Sequence, residues 1–188
     1  MQINIQLEHT IYVPEQMPRI GAPQVAFAGR SNVGKSSLLN SLGRGRLAKV
    51  SSQPGKTRSI NFYHLPGHNL YLVDLPGYGY AARSKQERAQ WSRLVESYLR
   101  HNPELTLVVV LLDCRIEPQP LDRQLIEYLQ ERGLGILPIL TKADKAKMSQ
   151  RNKILKKWQQ ILYSQEPPIL FSAKSGLGRD KLWKELLH

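Results

Sequence analysis

The sequence predicts an α/β fold: a mostly parallel sheet of six strands, one of them antiparallel, with helices on both faces. Three observations lead there. Short apolar segments alternate with amphipathic helical patterns along almost the whole chain, the order that parallel strands with helical crossovers require. The turn Pro66-Gly67-His68-Asn69 separates two apolar runs, which makes one antiparallel hairpin. A length of 188 residues at 41% hydrophobic content suits one domain with a full core.

Taken in order, residues 1–22 read as an N-terminal arm or an edge strand, and 23–188 as a single domain. Residues 24–28 (QVAFA) form the first clear strand, and a helix starts near Gly34 and stops at Gly43. Residues 43–59 lack apolar periodicity and read as a long basic loop. The hairpin follows over 60–65 and 70–73. Trp91, Leu94, Val95 and Tyr98 share a helical face at i, i+3, i+4 and i+7. Residues 105–112 form the next strand, Leu121, Leu125, Tyr128 and Leu129 the face of the next helix, and 136–140 another strand. Ile154, Leu155, Trp158, Ile161 and Leu162 mark a further helix, 169–171 the last strand, and Leu182, Trp183 and Leu186 the final helix. The three tryptophans read as core or half-buried anchors rather than a ligand cage.

Composition excludes several classes. No apolar run approaches the ~20 residues of a membrane span, and the first residues have neither a basic leader nor a cleavage pattern, so a cytoplasmic protein is expected. The single cysteine, Cys114, allows no internal disulfide or cysteine metal cluster. A net charge of +12 and a pI near 10 point toward an anionic partner.

The first strand runs into Gly29, Arg30, Ser31, Asn32, Val33, Gly34, Lys35 and Ser36, which matches GxxxxGK[ST] in its strand–loop–helix setting. There, backbone N–H groups turn inward around a polyphosphate and the helix N-terminus adds positive dipole. Lys35 reaches the β and γ phosphates, and the Ser36 hydroxyl is a Mg²⁺ ligand. Asp74, Leu75, Pro76 and Gly77 end the second hairpin strand, where Asp74 can hold Mg²⁺ through a water and Gly77 can offer its N–H to a γ phosphate. Thr141, Lys142, Ala143 and Asp144 follow the strand over 136–140. An aspartate there can accept from both N1–H and the 2-amino group of guanine, a donor pair that adenine lacks. A site of that kind discriminates by about 10⁴ or more, so GTP is expected over ATP. Phe171, Ser172, Ala173 and Lys174 end the last strand, where backbone groups can contact the guanine O6.

In the long basic loop, Gly55, Lys56, Thr57, Arg58 and Ser59 add to the nucleotide-lining set, with Thr57 as the remaining Mg²⁺-reaching hydroxyl. The whole series resembles the TrmE-Era-EngA-EngB-septin-like GTPase superfamily. Within it, GRSNVGKSSLLN, PGKTRSINFY, DLPGYGYA, Trp91, LLDCRIEPQPLD and TKADK together look like the EngB (YihA/YsxC) GTP-binding proteins, from Val25 to the end of the chain. The resemblance implies a Ras-like fold in a single G domain and Mg²⁺-dependent binding of GTP and GDP with slow hydrolysis. It also implies a role in large ribosomal subunit assembly, and an effect on cell division and septation. It nominates Lys35, Thr57 and Gly77 as catalytic positions and Ser36, Thr57 and Asp74 as metal ligands.

Two departures from the general GTPase pattern bear on mechanism. Where Ras-type enzymes place a water-orienting glutamine, this chain has Tyr78, so slow intrinsic hydrolysis, stimulated by a partner or by K⁺, is expected. Asn32 matches an asparagine that ligates K⁺ in related GTPases; the other reading is a residue that tolerates the loop's backbone geometry. Asp113 and Arg115 read as a local salt bridge.

Basic residues gather at the expected nucleotide-sensing loops. Arg44, Arg46, Lys49, Lys56 and Arg58 occupy the first, and Arg83, Lys85, Arg88 and Arg93 follow DLPGYGYAA. Lys145, Lys147, Arg151, Lys153, Lys156 and Lys157 follow TKAD. This placement predicts phosphate and shape contacts with structured ribosomal RNA; the resemblance implies the large ribosomal subunit or its precursor as the partner, and a monomer is expected. The open alternative is a nucleotide-gated binding module with negligible hydrolysis that acts directly on the division machinery.

Overall fold

Apolar and β-branched residues fill the strand segments, and their alternation sends successive side chains to opposite faces of one sheet. The computed structural model describes residues 4–43, 45, 47, 59–79, 85–100 and 102–187. Among them are seven strands: β1 (Gln6–Ile11), β2 (Gln24–Gly29), β3 (Ile60–Leu65), β4 (Leu70–Asp74), β5 (Leu105–Asp113), β6 (Ile136–Thr141) and β7 (Ile169–Leu170). Their spatial order is β1-β3-β4-β2-β5-β6-β7. β3 runs antiparallel to both of its neighbours, and every other pairing is parallel. The mostly parallel sheet with one antiparallel strand is as expected, but it holds seven strands and not six.

The added strand is β1, whose side chains are mostly exposed and therefore give little apolar alternation to read. Polar contacts across the ladder tie it down. Glu8 accepts from the Tyr71 hydroxyl at 2.6 Å and lies 2.8 Å from His64 Nδ1.

Five α-helices occur among the described residues: α1 (Lys35–Leu42), α2 (Lys85–Arg100), α3 (Pro120–Glu131), α4 (Met148–Ile161) and α5 (Arg179–Leu186). On one face of the sheet, Leu38 and Leu42 of α1 and Leu182 and Leu186 of α5 pack with Phe27, Leu111 and Ile139. On the other, Leu94 and Tyr98 of α2, Ile126 and Leu129 of α3, and Ile154 and Trp158 of α4 pack with Ala26, Val110 and Leu140. Trp158 is fully buried and Trp183 half-buried, while the Trp91 side chain lies outside the described ones.

Leu125, Tyr128 and Leu129 of α3 pack on the core as expected, and the departure is at the first turn. Leu121 is 43% exposed, and the inward positions are Asp122, Ile126 and Leu129. Asp122 faces inward and accepts a hydrogen bond from Tyr78. An apolar stripe does not include a carboxylate among the inward positions, although a partner makes its burial tolerable.

β2 lies between β4 and β5, so the chain leaves it in opposite directions across the sheet. A crevice opens outside the C-terminal ends of the strands at such a switch point, the usual place for a ligand in an α/β sheet. Gly29, Asp74, Asp113 and Thr141 all end strands at that edge.

Candidate functional site

The turn between β2 and α1 is shaped by backbone conformations that its residues tolerate. Gly34 has φ of 111°, a value side chains rarely adopt, and Asn32 has φ of 64°, in the left-handed region where asparagine is favoured. A Cβ on Gly29 would stand 2.8 Å from Val33 Cγ1 and 3.1 Å from Leu111 Cβ, so the loop sits directly on β5. The turn leads into the N-terminus of α1, whose first residue, Lys35, is buried and donates from Nζ to Asp74 Oδ1 at the end of β4. Ser36 follows on the first turn. Ser36 and Asp74 supply hard oxygens of the kind that Mg²⁺ takes together with phosphate and water, so the donor set fits that ion. No group of three or more His, Cys, Asp or Glu that could hold a metal occurs among the described residues.

Residues 75–78 run alongside the phosphate loop. Leu75 N–H donates to the Phe27 carbonyl at 3.1 Å, Ser31 N–H to the Tyr78 carbonyl at 2.8 Å, and Tyr78 N–H to the Gly29 carbonyl at 3.3 Å. A Cβ on Gly77 would lie 3.1 Å from both the Cα and the N of Ser31, a gap that only glycine fills without displacing backbone. The Tyr78 side chain turns toward α3, where its hydroxyl donates to Asp122 Oδ1 at 2.7 Å. Burial pushes the Tyr78 hydroxyl far above its ordinary range, and the Asp122 charge adds to that. Burial also raises Asp122, against the opposing effect of the Tyr78 hydrogen bond.

The third group of residues is strung between the phosphate loop and β7. Thr141 Oγ1 lies 2.7 Å from the Val33 carbonyl and 3.1 Å from that of Leu112. Lys142, with φ of 59°, donates from Nζ to the Asn32 carbonyl at 2.6 Å and to Asp113 Oδ2 at 2.9 Å. Asp113 also receives both Nε and a terminal nitrogen of Arg115, at 2.9 and 2.7 Å. Burial raises the Asp113 carboxyl, but the bonds from Arg115 and Lys142 outweigh it and bring the pKa down to about 2. Ala143 N–H donates to the Phe171 carbonyl at 3.1 Å, and the fully buried Ser172 donates from Oγ to Asp144 Oδ1 at 2.7 Å. That bond holds the exposed Asp144 carboxyl below its ordinary range. Ala173 and Lys174 lie exposed at the head of the same loop. It is closed by Ser172 N–H donating to the Leu177 carbonyl at 3.0 Å and Gly176 N–H to the Ser172 carbonyl at 2.9 Å.

Residues 29–36, 74–77, 141–144 and 171–174 thus meet at one sheet edge, linked by Lys35–Asp74, Ser31–Tyr78, Lys142–Asn32 and Ser172–Asp144. Gly55, Lys56, Thr57 and Arg58 lie outside the described residues. Ser59 is buried just before β3, with Oγ 3.3 Å from Asn61 Oδ1. The expected Asp113–Arg115 pair is present, but sequence reasoning missed that Asp113 also holds Lys142. It missed Asp122 altogether, whose partner is 44 residues away. Part of the basic charge is locally neutralised: Arg93 pairs with Glu15 at 3.0 Å, and Lys153 and Lys157 with Glu117 at 3.2 and 2.6 Å. No helix among the described residues is long and apolar enough to cross a membrane.

A family model described as a 50S ribosome-binding GTPase matches residues 24–142. The chain is similar to the "Probable GTP-binding protein EngB" of Oleidesulfovibrio alaskensis, 54% identical over 187 residues that cover 99% of this chain and 85% of the relative. The protein of the same name from Ligilactobacillus salivarius is 47% identical over 189 residues, covering 97% and 95%. Among solved structures, one titled as a probable GTP-binding protein engB superposes with a TM-score of 0.71 at 22% identity, over 86% of this chain and 95% of the other. Aquifex aeolicus Era bound to GDP and AlF4⁻ gives 0.72 at 21% identity, over 87% and 55%. These superpositions show a Ras-like fold.

Proposed function

The chain belongs to the EngB family of GTP-binding proteins, and on that footing we propose that it is a Mg²⁺-dependent, slowly hydrolysing GTP switch in the assembly of the large ribosomal subunit. The observation that carries this reading is the convergence of four loops on one sheet edge. Backbone N–H groups of residues 29–36 cradle the phosphates, Lys35 neutralises the β and γ oxygens, and Gly77 senses the γ phosphate. Asp144, held by Ser172, reads the guanine N1–H and 2-amino group, and residues 171–174 face its O6. Ser36, Thr57 and Asp74, the last through water, would hold Mg²⁺, which would supply charge neutralisation for the transferred phosphoryl group.

Slow turnover follows from the position of Tyr78. No amide stands after Gly77 to orient a water, and the phenol is engaged with Asp122. Ras without an activator turns over at a rate of order 10⁻⁴ per second even with its glutamine, so a chain without that amide depends on a partner or on K⁺ at Asn32. Equal turnover in KCl and NaCl would exclude the K⁺ contribution.

The net charge of +12 and the description of the matched family both support an RNA-bearing partner. Effects on cell division follow from ribosome supply in this reading. The test is a pull-down of ribosomal particles with protein loaded with a GTP analogue or with GDP, followed by identification of the RNA. Analogue-dependent recovery of large-subunit RNA that declines with rising salt is expected. Recovery independent of nucleotide, or none, would favour a module acting on the division machinery.

A further inference from the structure

Asp122 carries a role that neither the phosphate loop nor the guanine loop explains. It lies in the first turn of α3, where a carboxylate favours the helix dipole, but an exposed acid would serve that purpose equally well. Asp122 is instead 3% exposed and accepts the Tyr78 hydroxyl at 2.7 Å. Burying a carboxylate is costly unless a partner compensates, and here the phenol is such a partner. Arg30, close enough to bias both groups, has a buried Nε with no hydrogen bond among the described residues.

The backbone of Tyr78 is bonded on both sides to the phosphate loop, through its carbonyl to Ser31 and through its N–H to Gly29. Gly77, one residue earlier, lies against Ser31, where a Cβ would stand 3.1 Å from its N and Cα. A side chain drawn toward α3 and a backbone zipped to the phosphate loop together leave the turn little freedom.

We infer that Asp122 is a positioning residue: by anchoring the Tyr78 phenol it presets Gly77 at the phosphate loop and so favours a nucleoside triphosphate over a diphosphate. The inference rests on the reading of Gly77 as the γ-phosphate sensor. A triphosphate meets a turn already in place and avoids the cost of ordering it, whereas a diphosphate does not reach Gly77 and gains nothing.

The test measures affinities for a non-hydrolysable GTP analogue and for GDP in the full chain, with Mg²⁺. A hydrogen bond to a charged acceptor sets a ceiling of about 100-fold, and with both backbone bonds retained a loss of about tenfold is expected. Tyr78→Phe and Asp122→Ala should each weaken the analogue by about that factor, with GDP changed less than about twofold. The double variant should be no worse than either single one. Asp122→Asn keeps an acceptor oxygen for the phenol and should restore analogue affinity. A purely helix-stabilising acid would instead make Asp122→Asn behave like Asp122→Ala, and that result would overturn the inference. Tyr78→Phe removes only a hydroxyl, so it reports even if the Asp122 variants fold poorly; equal effects on both nucleotides, or no effect, would also overturn the inference. Gly77→Ala separates the two readings. If it does not selectively weaken the analogue, the sensor reading fails and the inference with it; if it does and Tyr78→Phe does not, only the Asp122 anchor fails.

Discussion

Removing one partner of the Lys35–Asp74 pair should destabilise the protein far more than removing both. The two groups are 7% and 2% exposed and join the start of α1 to the end of β4, so neither charge has water to fall back on. Deleting one side of a buried pair typically costs roughly 3–5 kcal/mol, because the other charge is left uncompensated. In a chain of 188 residues, 1 kcal/mol moves Tm by about 2–4 °C, so Asp74→Ala should lower it by roughly 6–20 °C. Lys35→Met should do much the same. The double variant removes both charges and should lose less stability than either single variant alone. The assay is urea and thermal unfolding of nucleotide-stripped protein, since any bound nucleotide would add its own stabilisation. Additive losses, or an Asp74→Ala effect below about 1 kcal/mol, would refute the coupling.

The depressed Asp113 carboxyl, at about 2 against an ordinary value near 4, contributes stability that is present above the unfolded pKa and lost as pH falls through the folded one. Asp113→Asn should therefore flatten the acid limb of stability between about pH 4 and pH 2 and cost up to roughly 2 kcal/mol at neutral pH; an unchanged acid limb in urea unfolding would count against it. Ser172→Ala removes the hydroxyl that orients the exposed Asp144, and calorimetry should find GDP bound about fivefold more weakly, with unchanged affinity as the contrary result. Gly178 has φ of 78° and a Cβ there would stand 2.1 Å from the Leu170 carbonyl, so Gly178→Ala should cost roughly 2–4 kcal/mol; a loss below about 0.5 kcal/mol would show that the loop gives way.

The phosphate loop, the Asp74–Gly77 turn and Thr141–Asp144 were legible because each encodes its geometry in adjacent residues: glycines where backbone must turn or approach closely, and polar groups at strand ends. Long-range pairings were not. Asp122 looks like an ordinary acid at a helix start, and nothing local indicates that Tyr78 reaches it. Of the stripe Leu121, Leu125, Tyr128 and Leu129, the last three pack on the core, but Leu121 is exposed where Asp122 turns inward. β1 was ambiguous for a different reason. An edge strand exposes most of its side chains and is held by backbone pairing and by the Glu8 contacts with Tyr71 and His64, which leave no apolar period to read. The Asp113–Arg115 pair was visible two residues apart, whereas Lys142, 29 residues on, joins it only once β5 and β6 are paired.

In the proposed function, recognition of the guanine base by Asp144 at this sheet edge makes the protein a GTP switch. The direct measurement compares GDP with xanthosine diphosphate on the native chain and on Asp144→Asn. Xanthine carries an oxo group where guanine has its 2-amino donor, so the asparagine amide can donate to that oxygen while its own oxygen accepts N1–H. The native chain should prefer GDP strongly, and the variant should prefer the xanthine nucleotide. A variant that still bound GDP as tightly as the native chain, with no gain for xanthosine diphosphate, would contradict the assignment of this residue to base recognition.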